Sequence, residues 1–387
     1  MEEAVIVSAV RTAIARQGGA LKDLGPHLYG AEVIKEAIRR AGVDPNEIDD
    51  VIFGNVLAGG GNMARLTALQ AGLPLEIPGI TIDRQCGSGM NAVALAAQAI
   101  QAGSGDIYLA GGTESMTRSP YLLEPPSRAF DRQPPKFVPR VLSPDHIGNP
   151  PMGITAENLA EKYHVTREEQ DAFALQSQQR MGNAMRQGYF KEQIVPISIP
   201  QRKGDPVVFD TDEHPRPDTT LEALAKLPSV FKQGGTVTAG NSSGVNDGAS
   251  ALVLMSAKQA EKRGLEPLAT VRNFTVAGVD PNIMGIGPVP ATRKLLKKEG
   301  LTLDDIDLIE LNEAFAAQLL ACDRELHMDM AKVNVNGGAI AHGHPIAATG
   351  AMLVTKIVYE MKRRNVKRGL VTACIGGGQG IAVLIER

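Results

Sequence analysis

The sequence predicts an α/β fold of two duplicated halves packed as layers, with a loop domain inserted after the first α/β run. Three observations predict it. Short β-branched runs alternate with helical patterns along most of the chain. The alternation breaks off in a proline-rich stretch and later resumes. A segment near the start recurs without a gap 258 positions further on.

The alternation runs in order through "AVIVSAV" (4–10), "GAEVIKEAIRRAG" (30–42), "DVIFGNVL" (50–57), "MNAVALAAQAIQAG" (90–103) and "GDIYLAGG" (105–112). Strand and helix in turn imply a layered α/β architecture. Residues 118–150 are crowded with proline, and so long a stretch reads as a surface excursion. A helical pattern follows at 153–188, then a polar arm near 200–220, and the α/β rhythm resumes at about 235. The expected organisation is a first half over 1–117, a loop domain over 118–250 that rejoins the first half near 235–256, and a second half over 257–387.

The repeat sets "AIRRAGVDPNEID" (37–49) against "LLKKEGLTLDDID" (295–307), with Gly42 on Gly300 and Asp49 on Asp307. Carried forward, the offset puts Cys86 opposite His344. Both precede helix-like stretches that lead into strands. A pseudo-twofold axis would therefore bring two helix N-termini together.

Composition sets limits. The 387 residues are 43% hydrophobic and 21% charged, an ordinary globular balance spread over more than one packed unit. Aromatics are only 4% while glycine reaches 41 residues, so the core is expected to be small aliphatic side chains with close backbone contacts. A net charge of −3 gives no basic patch for nucleic acid, and no apolar run is long enough for a membrane span. The first strand follows Met1 almost at once, so no leader is expected, and three cysteines point to a reducing, cytoplasmic setting.

The candidate chemistry begins at "DRQCGSGM" (83–90). A cysteine at a helix N-terminus is expected to gain thiolate character from the helix dipole. Cys86 is thus either a nucleophile or a small buried hydrophobe. His344 in "HGHPIAATG" is either its partner or a loop histidine. Cys374 closes "GLVTAC" and opens "IGGGQG", a turn whose amides can face a ligand. A dinucleotide fingerprint would need a helix directly behind these glycines and an acidic residue about 20 further on, so that signal is weak. Asn312 in "LIELNEAFA" is either functional or a helix cap.

Taken together, "RQCGSGM", "GTVTAGNSSGVNDGA", "IMGIGPVPA", "NEAFA", "NVNGGAIAHGHP" and "CIGGGQG" resemble the thiolase family nearly end to end. The resemblance implies an acyltransferase that interconverts two acetyl-CoA with acetoacetyl-CoA and CoA, or a 3-ketoacyl-CoA and CoA with acetyl-CoA and a shorter acyl-CoA. A degradative thiolase of fatty-acid β-oxidation, acting on longer chains, is the alternative. A non-catalytic acyl-lipid binder fits less well, since both cysteines, His344 and Asn312 are kept. A ketosynthase pairs its nucleophile with two histidines, which Cys374 argues against.

By the same resemblance Cys86 carries the acyl group, His344 activates the thiol and Cys374 moves the α-proton. Asn312 holds a water in one oxyanion site, and the amides of Cys86 and Gly376 form the other. Ser243 and Ala239 would lie by the pantetheine of CoA and Arg216 by its adenine end. Phe231, Met152 and Met284 would line the CoA and acyl clefts. No metal or bound cofactor is implied; the partners are CoA, its thioesters and three further copies in a homotetramer, a dimer of dimers. Pro151, His342 and Ala347 depart from common family residues, and bear on acyl length more than on reaction type.

Overall fold

The computed structural model describes residues 2–58, 60–130 and 133–387. Met1, Gly59, Asp131 and Arg132, which fall in the expected first half and in the proline-rich excursion, lie outside the described residues.

The first half runs β1 (Ala4–Thr12), the short β2 (Ala15–Arg16), α1 (Pro26–Ala41), β3 (Asp50–Gly54), α2 (Met63–Gln70), β4 (Gly79–Ile82), α3 (Ser88–Gln101) and β5 (Ile107–Ser115). The helix expected from residue 30 starts earlier, because Pro26 sits in its first turn, where a missing N–H costs nothing.

The excursion follows. Among its described residues the proline-rich part is largely exposed and contains an isolated bridge, Leu123 with Phe137. The helical pattern then resolves into two helices, α4 (Met152–Lys162) and α5 (Arg167–Arg186). They break where Thr166 and Glu169 form a reciprocal capping box that starts α5 afresh.

Next come β6 (Ile194–Val195), a hairpin of β7 (Ile197–Ile199) and β8 (Val207–Phe209), and α6 (Leu221–Ala225). The polar arm is anchored: buried Asp212 accepts two bonds from the buried Arg11 guanidinium, at 2.7 and 2.9 Å. The chain rejoins the first half at β9 (Asn246–Ser256) and leaves through α7 (Ala257–Lys262).

The second half is β10 (Ala269–Gly278), α8 (Pro288–Glu299), β11 (Leu308–Leu311), α9 (Ala316–Leu326), α10 (Ala339–His342), α11 (Ile346–Arg364), β12 (Arg368–Ile375) and β13 (Gln379–Glu386).

The main sheet reads outward from an antiparallel seam between β1 and β10. On one side lie β9, β5 and β3, with β4 beyond; on the other lie β13, β12 and β11. The senses match too: antiparallel, antiparallel, parallel on each side. α1 and α2 cover the outer face of the first half, α8 and α9 that of the second, and α3 with α11 fills the space between. The small side chains of α3, such as Ala92, Val93 and Ala96, are fully buried in that middle layer.

The duplication holds at atomic detail. α1 and α8 both end on a left-handed glycine, Gly42 at φ 61° and Gly300 at φ 67°. Asp49 Oδ2 accepts the N–H groups of Asp106 and Ile107, and Asp307 Oδ2 those of Lys367 and Arg368. The first residues of α3 and α11, Ser88 and Ile346, stand 258 positions apart. Among the described residues no helix is long and apolar enough to cross a membrane.

Candidate active site

Cys86 lies in a tight 3-10 turn, Gln85–Gly87, that feeds straight into α3. The turn is tied from both sides. Asp83 Oδ1 accepts the Gln85 N–H at 2.8 Å, and Ser88 Oγ accepts the Arg84 N–H at 2.8 Å. Gln85 takes φ 45°, a left-handed conformation that the ties hold in place. The turn packs on α11 and on β12, and a Cβ on Gly87 would meet the Ile375 side chain at 2.7 Å.

Cys86 keeps part of its surface open, and the backbone N–H groups of Gly376 and of Cys86 itself favour its thiolate. Burial nevertheless pushes the thiol up to about 11. The sequence expectation of an acidified thiol is therefore overturned. Loss of water around the sulfur outweighs the amides, and the charges of Asp83 and Glu114 add to it.

His344 precedes α11 and is 6% exposed, which removes the surface-loop reading. Its backbone N–H donates to Asn246 Oδ1 at 2.9 Å. Its Nδ1 meets Thr349 Oγ1 at 2.7 Å, and that hydroxyl donates to the Pro345 carbonyl at 2.9 Å. With the hydroxyl proton spent there, Nδ1 carries the imidazole proton and Nε2 is left as an acceptor. Asn312 Nδ2 faces Nε2 at 3.5 Å. Burial lowers the His344 pKa to about 4, so the ring is neutral at pH 7.

Asn312 is fully buried at the end of β11, where its N–H donates to Thr372 O at 3.0 Å. It caps no helix: α9 begins after Phe315. Among the described residues its Oδ1 has no hydrogen-bond partner.

Cys374 is fully buried near the end of β12. Burial raises its thiol well above the usual range, and the charge of nearby Cys86 adds to the rise. Gly376 follows, and the turn into β13 uses two left-handed glycines, Gly377 at φ 84° and Gly378 at φ 83°.

An apolar wall closes one side. Met152, Met284, Phe315 and Cys374 belong to one cluster. A Cβ on Gly376 would stand 3.1 Å from Leu142 Cδ1 and 3.6 Å from Met152 Sδ. Phe231 lies over Gly153 and meets Phe315 edge-on at 6.2 Å between centroids.

Of the residues expected near CoA, Ser243 is half-buried and donates its N–H to Ala314 O at 3.0 Å, while Ala239 and Arg216 are exposed. The His214 ring packs on Gly244 and so brings the Arg216 segment beside the 239–244 loop.

The structure thus gathers Cys86, Cys374, Gly376, His344 and Asn312 around the ends of β11 and β12 and the starts of α3 and α11. Sequence reasoning missed Asn246, Thr349, Leu142 and Phe315. Asn246 and Phe315 stand inside quoted motifs, "GVNDGA" and "NEAFA"; Leu142 had no local signal.

The thiolase N-terminal domain family matches residues 4–258, and the thiolase C-terminal domain family matches residues 265–387. An acetyl-CoA acetyltransferase of Pseudomonas aeruginosa is 50% identical over 392 residues, covering 100% of both chains. The crystal structure of the Bacillus anthracis acetyl-CoA acetyltransferase superposes with a TM-score of 0.95 at 48% identity, covering 100% of this chain and 99% of that one. Human mitochondrial 3-ketoacyl-CoA thiolase in complex with CoA superposes at 0.93 with 44% identity, covering 100% and 98%.

Proposed function

The chain belongs to the thiolase family, and from that premise we propose that it joins two acetyl-CoA into acetoacetyl-CoA and CoA, reversibly, through an acetyl group on Cys86. Thiolase and acyltransferase activity follow from full-length kinship; the residue roles are our reading. Two sets of contacts support them: Gly376 and Cys374 lie close to Cys86, and the buried Asn312 amide faces the neutral His344 ring at 3.5 Å.

A thiol held near 11 needs a base, and neutral His344 takes the Cys86 proton on Nε2. The sulfur attacks the acetyl carbonyl, and the N–H groups of Cys86 and Gly376 hold the oxyanion. The bond to CoA breaks, and the departing thiolate takes a proton from Cys374. Cys374 is now a thiolate, and its raised pKa makes it a strong base. It takes the α-proton of a second acetyl-CoA.

The enolate oxygen then rests between protonated His344 and a water on Asn312; the unpaired Asn312 Oδ1 supports that role. The enolate carbon bonds to the acetyl carbonyl, the carbon–sulfur bond to Cys86 breaks, and His344 returns its proton to the sulfur. Thiolysis runs these steps backward.

Ser243, Ala239 and Arg216 are proposed to hold CoA, with Phe231, Met152 and Met284 along the cleft. No other cofactor takes part in this scheme. The assembly is proposed as a homotetramer, supported by exposed Tyr121, Phe130 and Phe137 on the excursion. All three cysteines are free, and a nucleophilic thiol must stay reduced, which fits a cytoplasmic setting.

The test is peptide mass spectrometry after incubation with acetyl-CoA. The acetyl group should sit on Cys86; a label confined to Cys322 or Cys374 rejects the scheme. Initial rates over a 3-ketoacyl-CoA length series then separate the acetoacetyl reading from the longer-chain, β-oxidation one. Acetoacetyl-CoA should be cleaved, with medium chains also accepted along the apolar wall.

A further inference from the structure

We infer that His342 is a positioning residue for His344, acting with Lys356 and Glu310 as one buried strut. The inference rests on the thiolase reading, which makes His344 the base.

His342 is 2% exposed. Its Nδ1 donates to the Gly343 carbonyl at 2.8 Å, and its Nε2 accepts from Lys356 Nζ at 3.4 Å. Lys356 Nζ also donates to Glu310 Oε2 at 2.9 Å and to the Gly337 carbonyl at 2.7 Å. An ammonium has three protons, and here each has an acceptor.

Those acceptors lie on two pieces of the fold, and Lys356 itself lies on a third, α11. Glu310 is on β11, two residues before Asn312. Gly337 opens the segment that leads through α10 to His344, and His342 ends that helix. Lys356 therefore ties the strand carrying Asn312 to the loop carrying His344. The 3.5 Å pair between Asn312 and His344 is set from behind.

Net stability does not account for such a strut. A buried ion pair gives little advantage over well-packed apolar side chains. What it supplies here is register. Gly343 sits at φ 97°, where glycine is permissive and the peptide is free to swing. The His342 ring Nδ1–H holds its carbonyl on one side. On the other, the Asn246 amide lies within 2.4–2.5 Å of where a Gly343 Cβ would be, and accepts the His344 N–H. A leucine at 342 would offer neither bond.

The experiment compares the full-length wild type with His342→Leu and His342→Gln. In His342→Leu, kcat for acetoacetyl-CoA thiolysis should fall about tenfold or more, as expected for a displaced catalytic group, with KM for CoA within about twofold. Alkylation of Cys86 by iodoacetamide at pH 7 should slow in parallel. His342→Gln, which can both donate and accept, should recover most of both. A folded His342→Leu protein with wild-type kcat and alkylation rate overturns the inference, as does a loss confined to KM. If the wild type shows no thiolysis, the thiolase reading has failed, and the alkylation rates alone decide on His342. If His342→Leu does not fold, the paired Glu310→Leu, Lys356→Met variant supplies the same readouts, since replacing both partners spares stability.

Discussion

Gly89 lies flat against Ala347, which occupies the equivalent point of the second half 258 positions later: a Cβ on Gly89 would stand 2.7 Å from the Ala347 carbonyl oxygen and 2.8 Å from the Ala351 nitrogen. Both neighbours are backbone and cannot turn aside. Gly89→Ala should therefore destabilise the protein by about 1–3 kcal/mol, through overpacking at the α3–α11 crossing. Gly350→Ala should do likewise, since its Cβ would stand 2.4 Å from the Met90 nitrogen. Chemical denaturation measures this, and an unchanged midpoint with an unchanged slope contradicts it.

The pH dependence of Cys86 alkylation should separate the thiol from its base. His344 stays neutral down to about pH 4, so the wild-type rate should show no acid step near 6.5. In His344→Asn the base is gone. The thiol then ionises alone, and its rate should climb only as pH approaches about 11. The sign follows from burial: a raised thiol pKa means less thiolate at pH 7, by about 100-fold for two units. A His344→Asn profile that matches wild type would remove His344 from the activation step.

Cys374→Ala should abolish condensation and thiolysis while leaving slow acetylation of Cys86. Both steps call on Cys374, but a departing CoA thiolate can take its proton from water instead, whereas the α-proton has no other base. The check pairs steady-state rates with intact-mass detection of the acetyl group. Near-normal turnover would contradict the role.

Light scattering should report four copies. Tyr121 is 86% exposed and Phe137 70%, and their rings meet edge-on at 5.5 Å. Tyr121→Asp with Phe137→Asp should lower the mass to that of a dimer, because two carboxylates resist burial in an interface. A monomeric wild type at micromolar concentration would exclude the tetramer.

Much of this was legible in the sequence, because the duplication fixes where helices start. Gly42 and Gly300 are helix caps, local devices that leave local signals, whereas Asp49 and Asp307 bind strands far along the chain and show only because the repeat aligns them. The 258-residue offset alone pairs Cys86 with His344. Other features depend on contacts made across the fold. The Cys86 thiol rises because residues from β12 and α11 exclude water, which no helix-dipole argument could weigh. His342 read as an odd residue in a motif until Lys356, on the next helix, was placed beside it. Leu142 reaches Gly376 out of a proline-rich stretch without any periodicity.

The place of β1 has a consequence for how the chain is made. Its two long neighbours, β9 and β10, begin at Asn246 and Ala269, so the first strand synthesised waits through most of translation with both edges unpaired. At about 5–20 residues per second that interval lasts roughly 10–50 s. "AVIVSAV" is short, β-branched and uncharged, the kind of segment that pairs with copies of itself when left open. The nascent chain is thus most exposed to self-association before β9 emerges, and truncation just short of residue 246 should give an insoluble product.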